Sequence, residues 1–241
     1  MKTRLIVYDY EKSFERIDNI LESSENSFEE LDSIPSRDKL TFTNGFYVYC
    51  SALFVDIRDS SSLPSKHNRP KLAKLYRSYI SEVVAIMNGN IFCSEVNVVG
   101  DGILGIFNTT TRLSIDNVFG TSAEISSLID VLNCKFRKKS ISEIVVGMGM
   151  SYGRALMIKA GYKGSEINDV IWMGDVVNYA YKLASYGNRT YLDGETMVSE
   201  FFYDNLNDDN KNLLSLNHNR SCYHGNIINI EMNEWYNENC K

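Results

Sequence analysis

The stretch from Phe46 to Asp56 constrains this chain more than any other feature. Nearly every position is apolar, and aromatic and β-branched side chains dominate. A strand wetted on one face alternates apolar with polar. A continuous run of β-formers instead describes a central strand covered on both faces. Such a strand needs layers on both sides and a sizeable core. The 241 residues, 44% of them hydrophobic, supply one, and the length favours one main domain.

The flanking pattern fills in the layers. The run ends in a polar turn, Asp56 to Ser61, and a helix is expected from Pro70 to Asn88, with Leu72, Leu75, Tyr76, Tyr79, Ile80, Val83 and Ile86 on one stripe. Pro70 suits its first turn, and the Asn88, Gly89, Asn90 sequence stops it. Residues 91–99 and 103–107 read as a hairpin about Gly100, Asp101 and Gly102. A second helix is expected over 122–138. A strand over 144–150 is expected to turn at Tyr152 and Gly153 into a partner over 154–158. Further expectations are a helix from Asp175 to Tyr186, a strand over 190–192, a helix over 195–206 and a last strand over 222–230. The order β-α-β-β-α-β, then more, predicts an α/β (α+β) fold, a ferredoxin-like sandwich enlarged at its C-terminal end. Residues 1–40 read as a helical leader, with Phe14, Ile17, Ile20 and Leu21 at helical spacing, to be packed on the main domain (41–241) or on a second subunit.

Composition removes whole classes of function. Lys and Arg total 25 against 31 Asp and Glu, a net charge of −6, which argues against a nucleic-acid binder. No apolar run reaches the roughly 18 residues of a membrane span, and no signal peptide is expected, so the reading is a cytoplasmic protein away from the membrane. The five cysteines, Cys50, Cys93, Cys134, Cys222 and Cys240, form no CxxC pair, so neither a zinc ribbon nor a disulfide scaffold is expected and the thiols fit a reducing compartment. His67, His218 and His224 show no hydrolase spacing.

Two acids stand out by position. Asp56 ends the central strand and Asp101 occupies the hairpin turn, so both are expected at one edge of the sheet. Converging carboxylates repel unless a cation joins them, and oxygen ligands suit Mg²⁺ or Mn²⁺. Ser60 and Ser61 can present hydroxyls and backbone N–H groups toward an anion, although a solvated loop explains them nearly as well. Asn178 and Lys182 lie four apart, hence on one helical face, where an amide and a cation can reach a ribose and a phosphate together.

Together these segments resemble the class III nucleotidyl cyclases. Phe54 to Ile57 and Val99 to Gly102 look like that family's two metal motifs. Residues 147–161, with Arg154, are similar to its core hairpin, and Gly174 to Ala180 match the helix carrying its ribose-orienting Asn. The resemblance covers about residues 46–192. It implies a head-to-tail homodimer with composite sites at the interface. Asp56, Asp101 and the Ile57 carbonyl would hold two divalent cations, Mn²⁺ or Mg²⁺, in one subunit. Asn178 and Lys182 would come from the other, with Lys182 where most members carry Arg. Arg154 matches a position that contacts pyrophosphate in some members.

The two base-reading positions are Asn97, three before Gly100, and Ile171, three before Gly174. Neither carries the Lys of adenylate cyclases or the Glu of guanylate cyclases. One Asn amide can serve both the N3–H donor and a carbonyl of uracil, and bulky Phe54, Trp172 or Tyr181 could shrink the pocket toward a pyrimidine. The pattern resembles the uridylate cyclases of bacterial Pycsar antiphage systems and implies UTP as substrate and cyclic UMP, a second messenger, as product. An adenylate or guanylate cyclase stays open, because an Asn amide also pairs with adenine. So does a non-catalytic cyclase-homology domain, because the 221–226 region lacks the family's phosphate-binding Lys.

Overall fold

The computed structural model describes residues 5–162 and 168–240. The chain opens with helix α1 (Tyr10–Leu21), started by Asp9, whose side chain accepts from the Lys12 amide. None of its residues is buried. Phe14, Ile17, Ile20 and Leu21 are exposed, so the stripe expected to pack on the main domain is left open within one chain. Strand β1 (Phe28–Leu31) follows and runs parallel beside β2 (Gly45–Ile57). The sheet therefore begins inside the stretch read as a leader.

Strand β2 is the central strand its composition requires. Leu53, Val55 and Ile57 point to one face and Ala52 and Phe54 to the other, and all are buried. The short helix α2 (Leu63–Lys66) leads into α3 (Arg69–Gly89), capped by Asn68, with Leu75, Tyr79, Val83 and Met87 buried one turn apart. The hairpin β3 (Cys93–Val99) and β4 (Gly102–Phe107) turns at Gly100, whose φ of 66° suits glycine. Helix α4 (Arg112–Arg137) begins ten residues before the expected start at 122, because Thr111 and Ser114 form a reciprocal capping pair ahead of buried Ile115, Val118 and Phe119.

Strand β5 (Val146–Gly161) corrects the next expectation. It passes through Tyr152 and Gly153 without turning and pairs with β2 from Gly45↔Ile158 to Ile57↔Val146. Its hairpin partner is β6 (Asn168–Met173). Helix α5 (Asp175–Tyr186) lies as expected. The strand expected over 190–192 is instead β7 (Thr196–Val198), and the helix expected over 195–206 shrinks to α6 (Glu200–Asp204). Helix α7 (Asp208–Lys211) and strands β8 (Ser215–Asn217) and β9 (Cys222–Gly225) follow. The expected last strand ends at Gly225, and the chain finishes as helix α8 (Ile230–Cys240).

The sheet order is β3-β4-β2-β5-β7-β9-β8. Its first four strands, with α3 and α4 on one face, are the ferredoxin-like sandwich, and β7, β9 and β8 are the C-terminal enlargement. Helix α5 covers the opposite face through Val176, Val177, Ala180 and Ala184. Gly149 lets it approach, since a Cβ there would lie 2.1 Å from the Ala180 carbonyl oxygen. One disulfide, Cys134 to Cys240, ties α8 to α4 where the sequence predicts thiols in a reducing compartment and no disulfide scaffold; Cys50, Cys93 and Cys222 are free. Among the described residues no helix is long and apolar enough to cross a membrane.

Candidate active site

Antiparallel register builds the first half of the site. Val55 pairs with Ile103, which sets the end of β2 against the β3–β4 turn and brings Asp101 beside Asp56. The turn rests on the Phe54 ring, and a Cβ at Gly102 would come within 2.3 Å of it. Phe54 is thus a buried floor under the hairpin, packed 3.9 Å from the Tyr181 ring, with 7% of its surface exposed.

Burial first, then the Asp101 charge, pushes the Asp56 carboxyl above the ordinary carboxylate range, and Arg58 pulls it back. The Arg58 Nη2 donates to Asp56 Oδ2 at 2.7 Å and its Nη1 to the Ser185 carbonyl at 3.0 Å, tying the acid to the end of α5. Three buried polar atoms here have no hydrogen-bond partner among the described residues: Asp101 Oδ2, Arg58 Nε and the Tyr79 hydroxyl. Burial, together with the charges of Asp56 and Asp101, raises the Tyr79 phenol. The orphaned Asp101 Oδ2 beside the Asp56 carboxyl offers oxygen ligands of the kind a hydrated divalent cation takes, while the Arg58 Nε–H is a donor left for an anion.

Beside the acids lies a groove of about 600 Å³ lined by Asp56, Ile57, Arg58, Ser60, Ser61 and Arg189, among others. Arg58 and Arg189 were missed from the sequence. Arg58 carried a readable signal, because it lies two residues beyond Asp56, just past the end of β2. Arg189 is 3.8 Å from Asp59 and lies 131 positions from Arg58, so nothing local announces it.

The other expected residues lie elsewhere on the chain. Asn178 and Lys182 are exposed on α5, outside the groove lining, and the Asn178 side chain makes no hydrogen bond with a described residue. The Lys182 Nζ lies 5.8 Å from the Tyr179 ring centroid. Arg154 pairs with Glu30, stacks 4.3 Å over the Tyr47 ring, and lines a separate cleft of about 410 Å³ with Asp175 and Tyr179. Within one chain, then, the acids gather with Ser60 and Ser61 but not with Asn178, Lys182 or Arg154.

Asn97 is half-buried and donates from Nδ2 to Glu95 Oε1 at 2.9 Å. It does not share a face with Ile171. Asn97 pairs with buried Leu104, whereas Ile171 alternates with buried Val170 and Trp172 and is 41% exposed. Glu95 is held by Arg37 at 3.3 Å, and Arg37 also reaches Asp169 at 2.6 Å.

No protein-family model matches the chain. Relatives named uridylate cyclase do. One from Gulbenkiania mobilis is 39% identical, covering 96% of this chain and 97% of its own. One from Treponema porcinum is 38% identical, covering 88% and 73% respectively. Among solved structures the chain is similar to the adenylyl cyclase CyaB from P. aeruginosa, with a TM-score of 0.62 and 19% identity over 71% of this chain and 85% of that one. That likeness establishes the class III cyclase fold.

Proposed function

Because the chain belongs to the uridylate cyclase family, we propose that it converts UTP to 3′,5′-cyclic UMP and pyrophosphate, at composite sites shared by two copies. The observation that carries this reading is the meeting of Asp56 and Asp101 around an orphaned Oδ2 at the mouth of a groove with basic side chains.

Asp56, Asp101 and the Ile57 carbonyl are the residues that would hold two divalent cations, Mn²⁺ or Mg²⁺. When bound, these would neutralise charge on the triphosphate and acidify the ribose 3′-hydroxyl. Ser60, Ser61 and Arg189 bind phosphate oxygens along the groove. Asn178, from the second copy, orients the ribose so that its 3′-oxygen lies in line with the α-phosphorus. That oxygen attacks, its proton passes to solvent, the bond from the α-phosphorus to the bridging oxygen breaks, and pyrophosphate departs with the bond's electrons. Lys182 stabilises the charge that builds on the pentavalent phosphorus, as a point charge without the guanidinium fork. Arg154 contacts the departing pyrophosphate. Asn97 reads the uracil edge above the Phe54 floor, and Ile171, on the opposite face of the sheet, takes no part in that pocket.

The exposure of Asn178 and Lys182, away from the acids of their own chain, supports two copies. The family resemblance supports reading the product as a second messenger in antiphage defence, made in the cytoplasm. Incubating the purified chain with Mn²⁺ and each of the four ribonucleoside triphosphates, then separating products, tests the reaction. Cyclic UMP is the expected main product; cyclic AMP or GMP as the main product contradicts the base assignment.

A further inference from the structure

The Asn97 amide is ambiguous in isolation, since it can turn either its oxygen or its nitrogen to a base. Three features remove that ambiguity. Glu95 and Asn97 pair with Ile106 and Leu104 on β4, so they share one face of β3, and Glu95 follows an irregularity after Cys93 that sets its register. The Glu95 side chain is only 8% exposed, and its Oε1 lies 2.9 Å from Asn97 Nδ2. A carboxylate paired with a guanidinium only accepts hydrogen bonds, so the amide nitrogen must face it and the amide oxygen must face away. The carboxylate is itself pinned by Arg37, which spans from Glu95 to Asp169 at the start of β6. The backbone of Ile34 is fixed in turn by a 3.1 Å hydrogen bond to Asn108.

We propose that Glu95, pinned by Arg37, is a positioning residue for base selection: it locks Asn97 with Oδ1 toward the base, so that the site demands an N–H there. This rests on the cyclase reading above. With the nucleotide anchored by its ribose and phosphates, uracil meets that oxygen with its N3–H, whereas cytosine meets it with the N3 lone pair. An acceptor facing an acceptor leaves both unpaired, which costs about tenfold or more in relative rate. The segment from Ile34 to Arg37, outside the catalytic domain as read from sequence, thereby takes part in substrate choice.

The experiment compares kcat/KM for UTP and CTP in Glu95→Gln and in the parent chain. A Gln side chain can donate as well as accept, so Asn97 is free to turn over. The UTP-to-CTP ratio is expected to fall by about tenfold or more, chiefly through a gain on CTP. An unchanged ratio in folded Glu95→Gln overturns the inference. Arg37→Met, at a side chain 54% exposed, guards against misfolding of the first variant. Its ratio is expected to fall by a smaller factor in the same direction, and no fall also overturns the inference. A parent chain that makes no cyclic UMP contradicts the proposed function itself, which is a separate outcome.

Discussion

The edge of the sheet that carries Asp56 and Asp101 and the outer face of α5 that carries Asn178 and Lys182 are built differently. The acids are held from several sides: by β2–β4 register, by the Phe54 ring beneath Gly102, and by Arg58 reaching to Ser185. The α5 side chains stand in solvent on a helix whose other face is locked against β5 and β2. One half of the proposed site is assembled within a chain, and it crowds two carboxyls together. The other half stands exposed and outside the groove beside the acids of its own chain. A division of that kind is what a site completed by a second copy requires.

Removing the finished half has the largest expected effect. Asp56→Ala or Asp101→Ala should lower cyclic UMP formation by about 10²–10³ or more, measured by product chromatography. Retention of full turnover in either would break the comparison. Lys182→Ala and Asn178→Ala come next, each at about 10². Their folding should be unchanged, because neither side chain is buried; a large drop in melting temperature would show that α5 is structural on that face as well.

Smaller effects separate crowding from catalysis. The Asp56 carboxyl is raised from its ordinary 3.8 by burial and by Asp101. The sign follows: its contribution to stability is fully present below 3.8 and is lost as pH rises through the raised folded value. At neutral pH, Asp56→Asn should therefore melt a few degrees higher than the parent chain, by roughly 2–4 °C per kcal/mol recovered. Added Mn²⁺ should raise the parent's melting temperature and leave the variant's unmoved. Glu195 is the control. Its carboxyl is pushed up to about 7, by burial first and Asp130 second, far from any role proposed here. Stability should fall as pH rises from 4.5 through about 7, and Glu195→Gln should flatten that slope without altering the response to Mn²⁺.

Local pattern and long-range constraint were unequally legible in the sequence. The two-faced β2, the capped α3, the hairpin at Gly100 and α5 could be read from composition and spacing, because each is decided by residues close in the chain. Strand β5 was misread at Tyr152 and Gly153 because glycine usually marks a turn. Here Gly153 sits inside a strand held by thirteen residue pairings with β2, while Gly149 serves close approach by α5. The three-residue β7 owes its existence to pairing with β5 and β9, and the Cys134–Cys240 bond spans 106 residues. Neither has a local signal. At the candidate site, the acids could be predicted to meet because the strand that ends at Asp56 lies beside the hairpin that carries Asp101. The groups that hold Asn97 could not be, since Arg37 reaches across 58 residues to Glu95 and 132 to Asp169.

Mixing two inactive variants probes the division of labour itself. Asp56→Ala keeps an intact α5 and Lys182→Ala keeps intact acids, so a mixed dimer holds one complete site and one doubly defective one. After the two are combined in equal amounts and allowed to exchange, cyclic UMP formation is predicted to recover to about a quarter of the unmodified chain's, from random pairing in a two-fold dimer. A mixture no more active than its components, under conditions where exchange of subunits is demonstrated, would contradict a site built from two copies.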